Sequence, residues 1–220
     1  MNPIVIFGVS EFAEVAHFYF THDSPREVAA FTVDGIFFKE GRFSSLPVVA
    51  FEDIEGAFPA QSYDLFVAVG YKKLNSVRAT KCAEARKKGY FLQSYVSSKA
   101  TTWPGLNHGD NCFFLEDNTI QPFVNIGNNV TLWSGNHIGH HAQIADNCFI
   151  TSHVVISGSV KVGENSFIGV NATVRDHVNI ASHCVIGAGA VIVKDTQEGG
   201  VYIGQAAERS SVPSHRLRKL

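Results

Sequence analysis

Aliphatic residues recur at every sixth position over the second half of the chain. From Ile120 to Ile192 this position is always Ile, Leu or Val, without interruption. The residue four places later is mostly small, as at Ala142, Cys148 and Ala172. A period of six fits neither an α-helix nor a single flat strand. It predicts a parallel β-helix in which each hexapeptide forms one side of a triangular coil, with one branched and one small side chain pointing inward.

The first hundred residues follow a different pattern, in which apolar strands alternate with helical segments. Strands are predicted at 4–7, 28–33, 47–49, 65–69 and 91–96, and helices at 10–20 and 74–88. This alternation predicts a small, Rossmann-like parallel α/β unit. Ligands of such sheets bind at the carboxyl ends of the strands. The turn residues at three of these ends are Gly8, Asp34 and Gly70.

The two patterns predict two domains and a short tail. Residues 1–100 form the Rossmann-like domain, and residues 101–200 form the β-helix. Residues 201–220 break the six-residue period, so they are expected to form a C-terminal cap or tail.

Composition and charge narrow the classes of function. The formal net charge of the 220 residues is −2 and the charges are interspersed, which favours neither nucleic acid nor an anionic membrane as a partner. No apolar segment reaches transmembrane length, and the N-terminus lacks the features of a secretory signal. Cys112, Cys148 and Cys184 are two coils apart, which is too far for a disulfide. A reduced, cytoplasmic protein is therefore expected.

Histidines at the corners of the predicted prism carry the candidate chemistry. His140 is expected to face outward at a corner, and His141 follows it. Gly158 comes 18 residues later, so that it stacks over His140 and leaves room and an open backbone N–H. A general base beside a donor for a developing oxyanion suits acyl transfer. The alternative for Gly158 is a turn that needs positive φ, and His177 and His183 are expected to be solvated turn residues.

The chain resembles bacterial sugar acyltransferases of the left-handed β-helix superfamily. The features in common are the hexapeptide run, the α/β unit before it and the segment I-G-H-H-A-Q-I-A-D-N-C-F-I-T-S-H-V-V-I-S-G. The likeness covers nearly the whole chain and is greatest for sialic acid O-acetyltransferases and for the N-acetyltransferases of bacillosamine and perosamine nucleotide sugars. The resemblance implies left-handed coiling, a homotrimer, acetyl-CoA as co-substrate between adjacent prisms, no metal, and a nucleotide sugar held by the N-terminal domain.

The resemblance also implies roles for residues of the β-helix. The family's base is a histidine in an Ile/Val-x-His-Glu-like segment, and His140 occupies that position. His141 stands where the family has a carboxylate that orients the imidazole, so either His141 serves as a neutral partner, another residue does, or the orientation is looser. Gly158 matches the glycine whose N–H meets the thioester carbonyl. The pantetheine and nucleotide parts of CoA are expected at Val170, Gly187, Ala188 and Lys194.

In the N-terminal domain the resemblance implies contacts with the nucleotide sugar. The turn G-V-S-E-F-A lacks the later glycines of relatives and supplies Gly8, Ser10, Glu11 and Phe12. The segment V-A-V-G-Y-K-K-L-N-S-V-R resembles the family's strand and turn for the base and phosphates and supplies Gly70, Tyr71, Asn75 and Arg78. Asp34 is expected near the base or ribose. The alternative for Arg78 is an exposed charge on a helix.

The expected function is transfer of an acetyl group from acetyl-CoA to the amino group of a nucleotide-linked 4-amino-4,6-dideoxy sugar, for surface polysaccharides such as lipopolysaccharide O-antigen. O-acetylation of a sugar is the alternative with the same chemistry. More distant alternatives are a non-enzymatic scaffold and a metal-dependent protein of the γ-carbonic anhydrase type that uses His137, His140, His141 and His153. The N-terminal domain argues against both, since neither role needs a second ligand site.

Apolar residues on the outside of the prism are expected to mark subunit contacts in the homotrimer. These residues are Phe123, Trp133 and Phe149 or Phe167.

Overall fold

The computed structural model describes residues 1–39 and 41–216, so the last four residues of the expected tail lie outside the described part. Within these ranges no helix has the length and apolar character that a membrane crossing requires.

The N-terminal unit is a five-stranded sheet with helices packed on it. Its elements are β1 (Ile4–Phe7), α1 (Glu11–His22), β2 (Val28–Val33), β3 (Arg42–Phe43), β4 (Leu46–Ala50), α2 (Ile54–Ala57), β5 (Asp64–Val67) and α3 (Ser76–Lys87). The strand order is β3-β4-β2-β1-β5, with all pairs parallel except the hairpin of β3 and β4. The predicted α/β unit is confirmed, with an antiparallel edge strand added to it. Strands β1 and β5 are buried throughout, as expected for apolar runs without alternation.

The segment predicted as a strand over 91–96 is divided between two sheets. Leu92 forms a single parallel bridge with Leu65 of the N-terminal sheet. Residues Tyr95–Val96 form β6, which pairs with Phe113–Phe114 one coil later. The β-helix therefore begins before residue 101, and the two units share a boundary of only a few residues.

The β-helix consists of two-residue strands in three parallel sheets, which we call the junction face, the second face and the third face. The junction face contains β6 (Tyr95–Val96), β8 (Phe113–Phe114), β11 (Thr131–Leu132), β14 (Phe149–Ile150), β17 (Phe167–Ile168), β20 (Val185–Ile186) and β22 (Val201–Tyr202). The second face contains β9 (Thr119–Ile120), β12 (His137–Ile138), β15 (Val155–Ile156), β18 (Thr173–Val174) and β21 (Val191–Ile192). The third face contains β7 (Asn107–His108), β10 (Asn125–Ile126), β13 (Gln143–Ile144), β16 (Lys161–Val162) and β19 (Asn179–Ile180).

The two inward positions of each hexapeptide fill the prism. Ile138 and Ile150 are fully buried, and so are the small residues Ala142 and Cys148. Burial raises the pKa of the Cys148 thiol to about 12, and that of the Cys112 thiol likewise. These cysteines are therefore packing residues and not nucleophiles at neutral pH.

Residues in the left-handed conformation turn the chain at the corners. At the edge between the third and junction faces four of these are asparagines, which tolerate positive φ: Asn111, Asn129, Asn147 and Asn165. His141, His153, His177 and His183 occupy the same kind of position with φ between 58° and 60°. Much of the high histidine content therefore reflects turn geometry, as expected for His177 and His183.

The N-terminal unit packs against the junction face through aromatic side chains. Phe12 of α1 contacts Phe113 and Phe149, with ring centroids 5.6 and 6.3 Å apart. Tyr71 contacts Phe149 and Phe167 at 5.1 and 4.8 Å. The prediction that Phe149 lies on a free subunit-contact surface is thus wrong, because this chain's own N-terminal unit covers that ring and leaves it 2% exposed.

Candidate active site

His140 lies at the edge between the second and third faces, which we call the histidine edge. This edge is formed by the turn segments 103–106, 121–124, 139–142, 157–160, 175–178 and 193–195. Gly139 precedes the histidine, and a Cβ there would lie 2.6 Å from the backbone nitrogen of Gly158, so only glycine allows the two coils to stack this closely. The exposed His140 then donates its backbone N–H to Oε1 of Gln121 at 2.8 Å.

Gly158 stacks directly on the imidazole of His140. A Cβ at Gly158 would lie 2.7 Å from Cε1 and 2.8 Å from Nε2 of that ring. The backbone of Gly158 does not have positive φ; the left-handed residue of this turn is Ser159. The glycine therefore leaves room for the imidazole to lie in this position, which a side chain at 158 would displace, and the turn itself does not need it. Within the described residues the N–H of Gly158 has no hydrogen-bond acceptor, so it remains free for a ligand.

His141 is the direct partner of the His140 ring. The two Nδ1 atoms are 3.1 Å apart, so one ring donates and the other accepts. A His140 that accepts a proton at Nε2 carries its own proton on Nδ1, which it donates to a neutral His141. The ring of His141 also lies against that of Phe123, with the two ring centroids 4.8 Å apart. No carboxylate of residues 1–39 or 41–216 hydrogen-bonds to either ring, so among the expected alternatives the geometry favours the neutral partner.

The structure separates the residues expected at CoA into two groups. Gly158 and Lys194 lie on the histidine edge, in register with His140. Val170, Gly187 and Ala188 lie on the edge between the junction and second faces. One face of six residues separates these two edges, which is about 20 Å at the rise of a β-strand.

The expected nucleotide contacts partly converge at one end of the N-terminal sheet. Gly8, Asp34 and Gly70 follow the carboxyl ends of β1, β2 and β5, and Ser10 and Glu11 are exposed beside them. Gly8 has a φ of 128°, and a Cβ there would lie 2.8 Å from the carbonyl oxygen of Ala68, so no other residue fits.

Asp34 has a second role that its position in the sequence does not reveal. Its Oδ1 accepts a hydrogen bond from Nζ of Lys81 at 2.7 Å, and Lys81 also contacts Glu84. The carboxylate is therefore already paired with a cation of α3.

A cavity of about 370 Å³ at the same sheet end contains residues that the sequence did not single out. Its lining consists of Val9, Val33, Phe37, Lys39, Gly41, Arg42, Phe43 and Val48. An exposed aromatic ring and two cations suit a base and phosphates. The sequence signal that could have found them is the pair of basic residues on either side of Gly41, in the segment that follows β2 and Asp34.

Three expected substrate contacts lie in the junction between the two units, where Asn75 and Arg78 are buried and Phe12 is partly buried. Phe12 packs within the aromatic cluster on the junction face. The buried Nδ2 of Asn75 donates to the carbonyl of Ser166 at 3.2 Å. Arg78 is 1% exposed, so both its expected nucleotide contact and its alternative as an exposed charge are wrong.

Arg78 instead joins the N-terminal unit to the β-helix. Its Nε donates to Oδ1 of Asn129 at 2.9 Å, and its other nitrogens reach backbone carbonyls on both sides of the junction. These carbonyls belong to Val69, Gly70, Asn129, Asn147 and Cys148. Burial lowers the pKa of Arg78 to about 10, so the side chain stays cationic at neutral pH.

The histidines of the metal alternative do not converge in a single chain. Among residues 1–39 and 41–216, no group of three or more His, Cys, Asp or Glu side chains is arranged to hold a metal ion.

Comparisons with known proteins agree with this architecture. The family model for bacterial transferase hexapeptide (six repeats) matches residues 123–158 and 159–194. A mutant of perosamine N-acetyltransferase from Caulobacter crescentus, in complex with CoA and GDP-perosamine, has a similar structure with a TM-score of 0.83. It is 25% identical over 93% of this chain and 94% of that chain.

Two further solved structures share the fold. The acetyltransferase domain of PglB from Neisseria gonorrhoeae, also solved with acetyl coenzyme A, has a TM-score of 0.82 and 21% identity over 93% of this chain and 97% of that chain. WeeI from Acinetobacter baumannii has a TM-score of 0.58 and 15% identity over 87% and 94% of the two chains. A comparison of the sequence alone with curated proteins finds no match.

Proposed function

We propose that this chain, a hexapeptide-repeat β-helix acyltransferase, transfers the acetyl group of acetyl-CoA to the amino group of a nucleotide-linked sugar. A 4-amino-4,6-dideoxy sugar destined for a surface polysaccharide is the preferred acceptor. The observation that carries the proposal is the imidazole of His140 packed against Gly158, whose N–H is free.

The geometry supplies the groups that direct acyl transfer needs. Nε2 of His140 takes a proton from the amine as its nitrogen attacks the thioester carbonyl. The N–H of Gly158 donates to the oxyanion of the tetrahedral intermediate. When the C–S bond breaks, the imidazolium returns its proton to the CoA thiolate. The amide and free CoA are the products, and no acyl-enzyme is required.

The positions of the two substrate sites support an active site shared between copies. The N-terminal unit covers the junction face, whereas His140 lies on the edge opposite to that face. A sugar held by this unit is separated from His140 of the same chain by the width of the prism, about 20 Å. The acceptor bound by one copy therefore meets His140 of another, as in a closed homotrimer with head-to-tail contacts.

The residues expected to bind CoA lie on two different edges of the prism, which also supports an active site shared between copies. A groove in which the histidine edge of one copy faces the edge of Val170, Gly187 and Ala188 of the next brings both groups to one ligand. Arg175 and Lys194 lie on the histidine edge above Gly158, where they provide positive charge for the phosphates of CoA.

An assay of acceptors tests the activity. Purified protein is incubated with acetyl-CoA and a panel of 4-amino-4,6-dideoxy nucleotide sugars and their 4-hydroxy counterparts, and free thiol and product mass are measured. Acetylation of the amino sugars alone supports the proposal, whereas acetylation of the hydroxy sugars alone favours O-acetyl transfer. Activity that a chelator abolishes and zinc restores would favour the metal alternative.

Subunit mixing tests the shared site. Gly70 has open space around its Cβ position, so Gly70→Asp should place a negative charge at the sheet end expected to bind the nucleotide sugar without disturbing the fold. Co-expressed His140→Ala and Gly70→Asp subunits should regain about a quarter of the wild-type activity, since that share of sites pairs an intact sugar site with an intact base. Each variant alone should be inactive, and Gly70→Ala is the control. No recovery in mixed trimers would place the whole site in one chain.

A further inference from the structure

A second cavity lies on the histidine edge below His140. It has a volume of about 430 Å³, which is in the range of small-molecule sites. Its lining consists of Trp103, Pro104, Gly105, Leu106, Asn107, Ile120, Gln121, Pro122, Phe123, Val124 and Asn125. No residue of this lining carries a charge, and the polar side chains are all amides.

Phe123 is in a conformation that the fold alone does not explain. Its φ is 67°, in the left-handed region that bulky residues avoid, and its side chain is 71% exposed. Other left-handed corner positions hold Asn, Asp, His, Ser or Gly. Within a single chain, no burial of this phenylalanine offsets the backbone strain, so a compensating contact must come from outside the chain. Such outliers concentrate at ligand sites.

Two residues that line the cavity contact the catalytic pair. The ring of Phe123 contacts His141, and Gln121 accepts the backbone N–H of His140. The cavity therefore lies next to His140 and His141, although neither histidine lines it. Trp103, which is 59% exposed, adds a second aromatic side chain from the coil below.

We infer that this cavity binds the sugar ring of the acceptor, an inference that rests on the proposed function. The charged parts of both substrates have basic residues elsewhere, at Lys39 and Arg42 for the nucleotide and at Arg175 and Lys194 for CoA. An uncharged sugar ring suits the uncharged cavity. Its apolar face lies on Phe123 and Trp103, and its hydroxyl groups bond to the amides of Asn107 and Asn125. The amine to be acetylated then points toward His140.

Phe123→Asn separates binding from folding. Asparagine favours the left-handed conformation, so the melting temperature should stay the same or rise. Loss of the aromatic face should raise KM for the best acceptor roughly tenfold. This factor corresponds to the upper end of the binding free energy that one aromatic contact contributes. KM for acetyl-CoA should stay within twofold. His183→Asn makes the same exchange at φ 59° on another edge and should change neither KM.

Tryptophan fluorescence provides a direct measure of binding. The chain has two tryptophans, and Trp133→Phe leaves Trp103 as the only one. Titration of this variant with the best acceptor should change the emission, and the same titration after adding Phe123→Asn should saturate at roughly tenfold higher concentration. Free CoA should leave the emission unchanged.

The outcomes distinguish this inference from the proposed function. If the wild type acetylates no sugar of the panel, the proposed function fails and the cavity has another ligand. If the wild type is active but Phe123→Asn and Trp103→Ala keep the wild-type KM for the acceptor, the function stands and the sugar ring binds elsewhere.

Discussion

The junction face and the histidine edge are built from the same hexapeptides and differ in how far their polar groups are paired. At the junction most polar groups have partners, although Oδ1 of the buried Asn75 has none among the described residues. The guanidinium nitrogens of Arg78 donate hydrogen bonds to carbonyl oxygens of both units. The side chain of Asn111 accepts from the backbone N–H of Val67 and donates to its carbonyl oxygen. At the histidine edge, the N–H of Gly158 has no acceptor in the described part of the chain, and Phe123 is strained and exposed. Satisfied polar groups stabilise a fold, whereas unsatisfied groups in fixed positions are available to a ligand.

This difference separates two kinds of mutational effect. Substitutions at the junction should lower stability and leave the chemistry of folded molecules intact. Substitutions at the histidine edge should lower activity and leave stability intact.

The largest effect is expected for His140. His140→Ala or His140→Asn should lower kcat by roughly 10²- to 10⁴-fold, the range for loss of a general base. The exposed ring adds little to the core, so the melting temperature and oligomeric state should not change. Steady-state kinetics and scanning calorimetry of the same preparations check both parts. Full activity in either variant would contradict the mechanism.

Arg78 should show the opposite behaviour. Arg78→Met removes the donors of several buried carbonyls and should lower the free energy of unfolding by about 3 kcal/mol or more. Urea unfolding measures the loss, with Lys87→Met at an exposed position of α3 as the control. In the folded fraction, KM for the acceptor should match the wild type. If Arg78→Met raised KM for the acceptor and left the free energy of unfolding unchanged, Arg78 would be a nucleotide contact after all.

The fold could be predicted well from the sequence because the six-residue period indicates which side chains point inward. The same period placed His140 one coil below Gly158, and the structure puts that ring against that glycine. Both features depend on spacing along a regular coil, which is visible in one sequence.

The junction could not be predicted in this way because it depends on contacts between distant segments. Arg78 is 51 residues from Asn129 in the chain, and no periodic pattern relates the two. Phe149 is one of the outward aromatic residues of the prism, and only the packing of α1 and Tyr71 shows that it is covered. The cavity at Phe123 depends likewise on Trp103, which lies before the regular repeats.

A smaller effect on catalysis is expected for His141. His141→Ala should lower kcat roughly tenfold, less than loss of the base itself, and leave affinity for acetyl-CoA unchanged. His141→Glu should remain active. A carboxylate favours the protonated imidazole, so the acid limb of the pH–rate profile should move to higher pH. Unchanged kcat and pH profile in both variants would show that the orienting group lies elsewhere.

The smallest effect is expected where a carboxylate ties α1 to the first coil of the β-helix. Asp23 accepts hydrogen bonds from the backbone N–H of Ser98 at 2.9 Å and the hydroxyl of Tyr95 at 2.5 Å, and also from the hydroxyl groups of Ser97 and Ser98. The pKa of Asp23 is lowered to about 2, mainly because its carboxylate accepts hydrogen bonds from the side chains of Ser98 and Tyr95. The ordinary pKa of an unfolded Asp is about 3.9. The stabilisation is therefore complete above pH 4 and is lost as the pH falls toward 2.

Asp23→Asn should consequently lower the free energy of unfolding by about 1 kcal/mol at pH 7, with solvent screening at this partly exposed site taken into account. Urea midpoints at pH 7, 5 and 3 should show a difference from the wild type that is constant at the first two values and smaller at the third. Asp176→Asn, at an exposed position on the histidine edge, is the matched control. A difference that did not shrink at pH 3 would mean that the carboxylate charge is not what holds α1 to the coil.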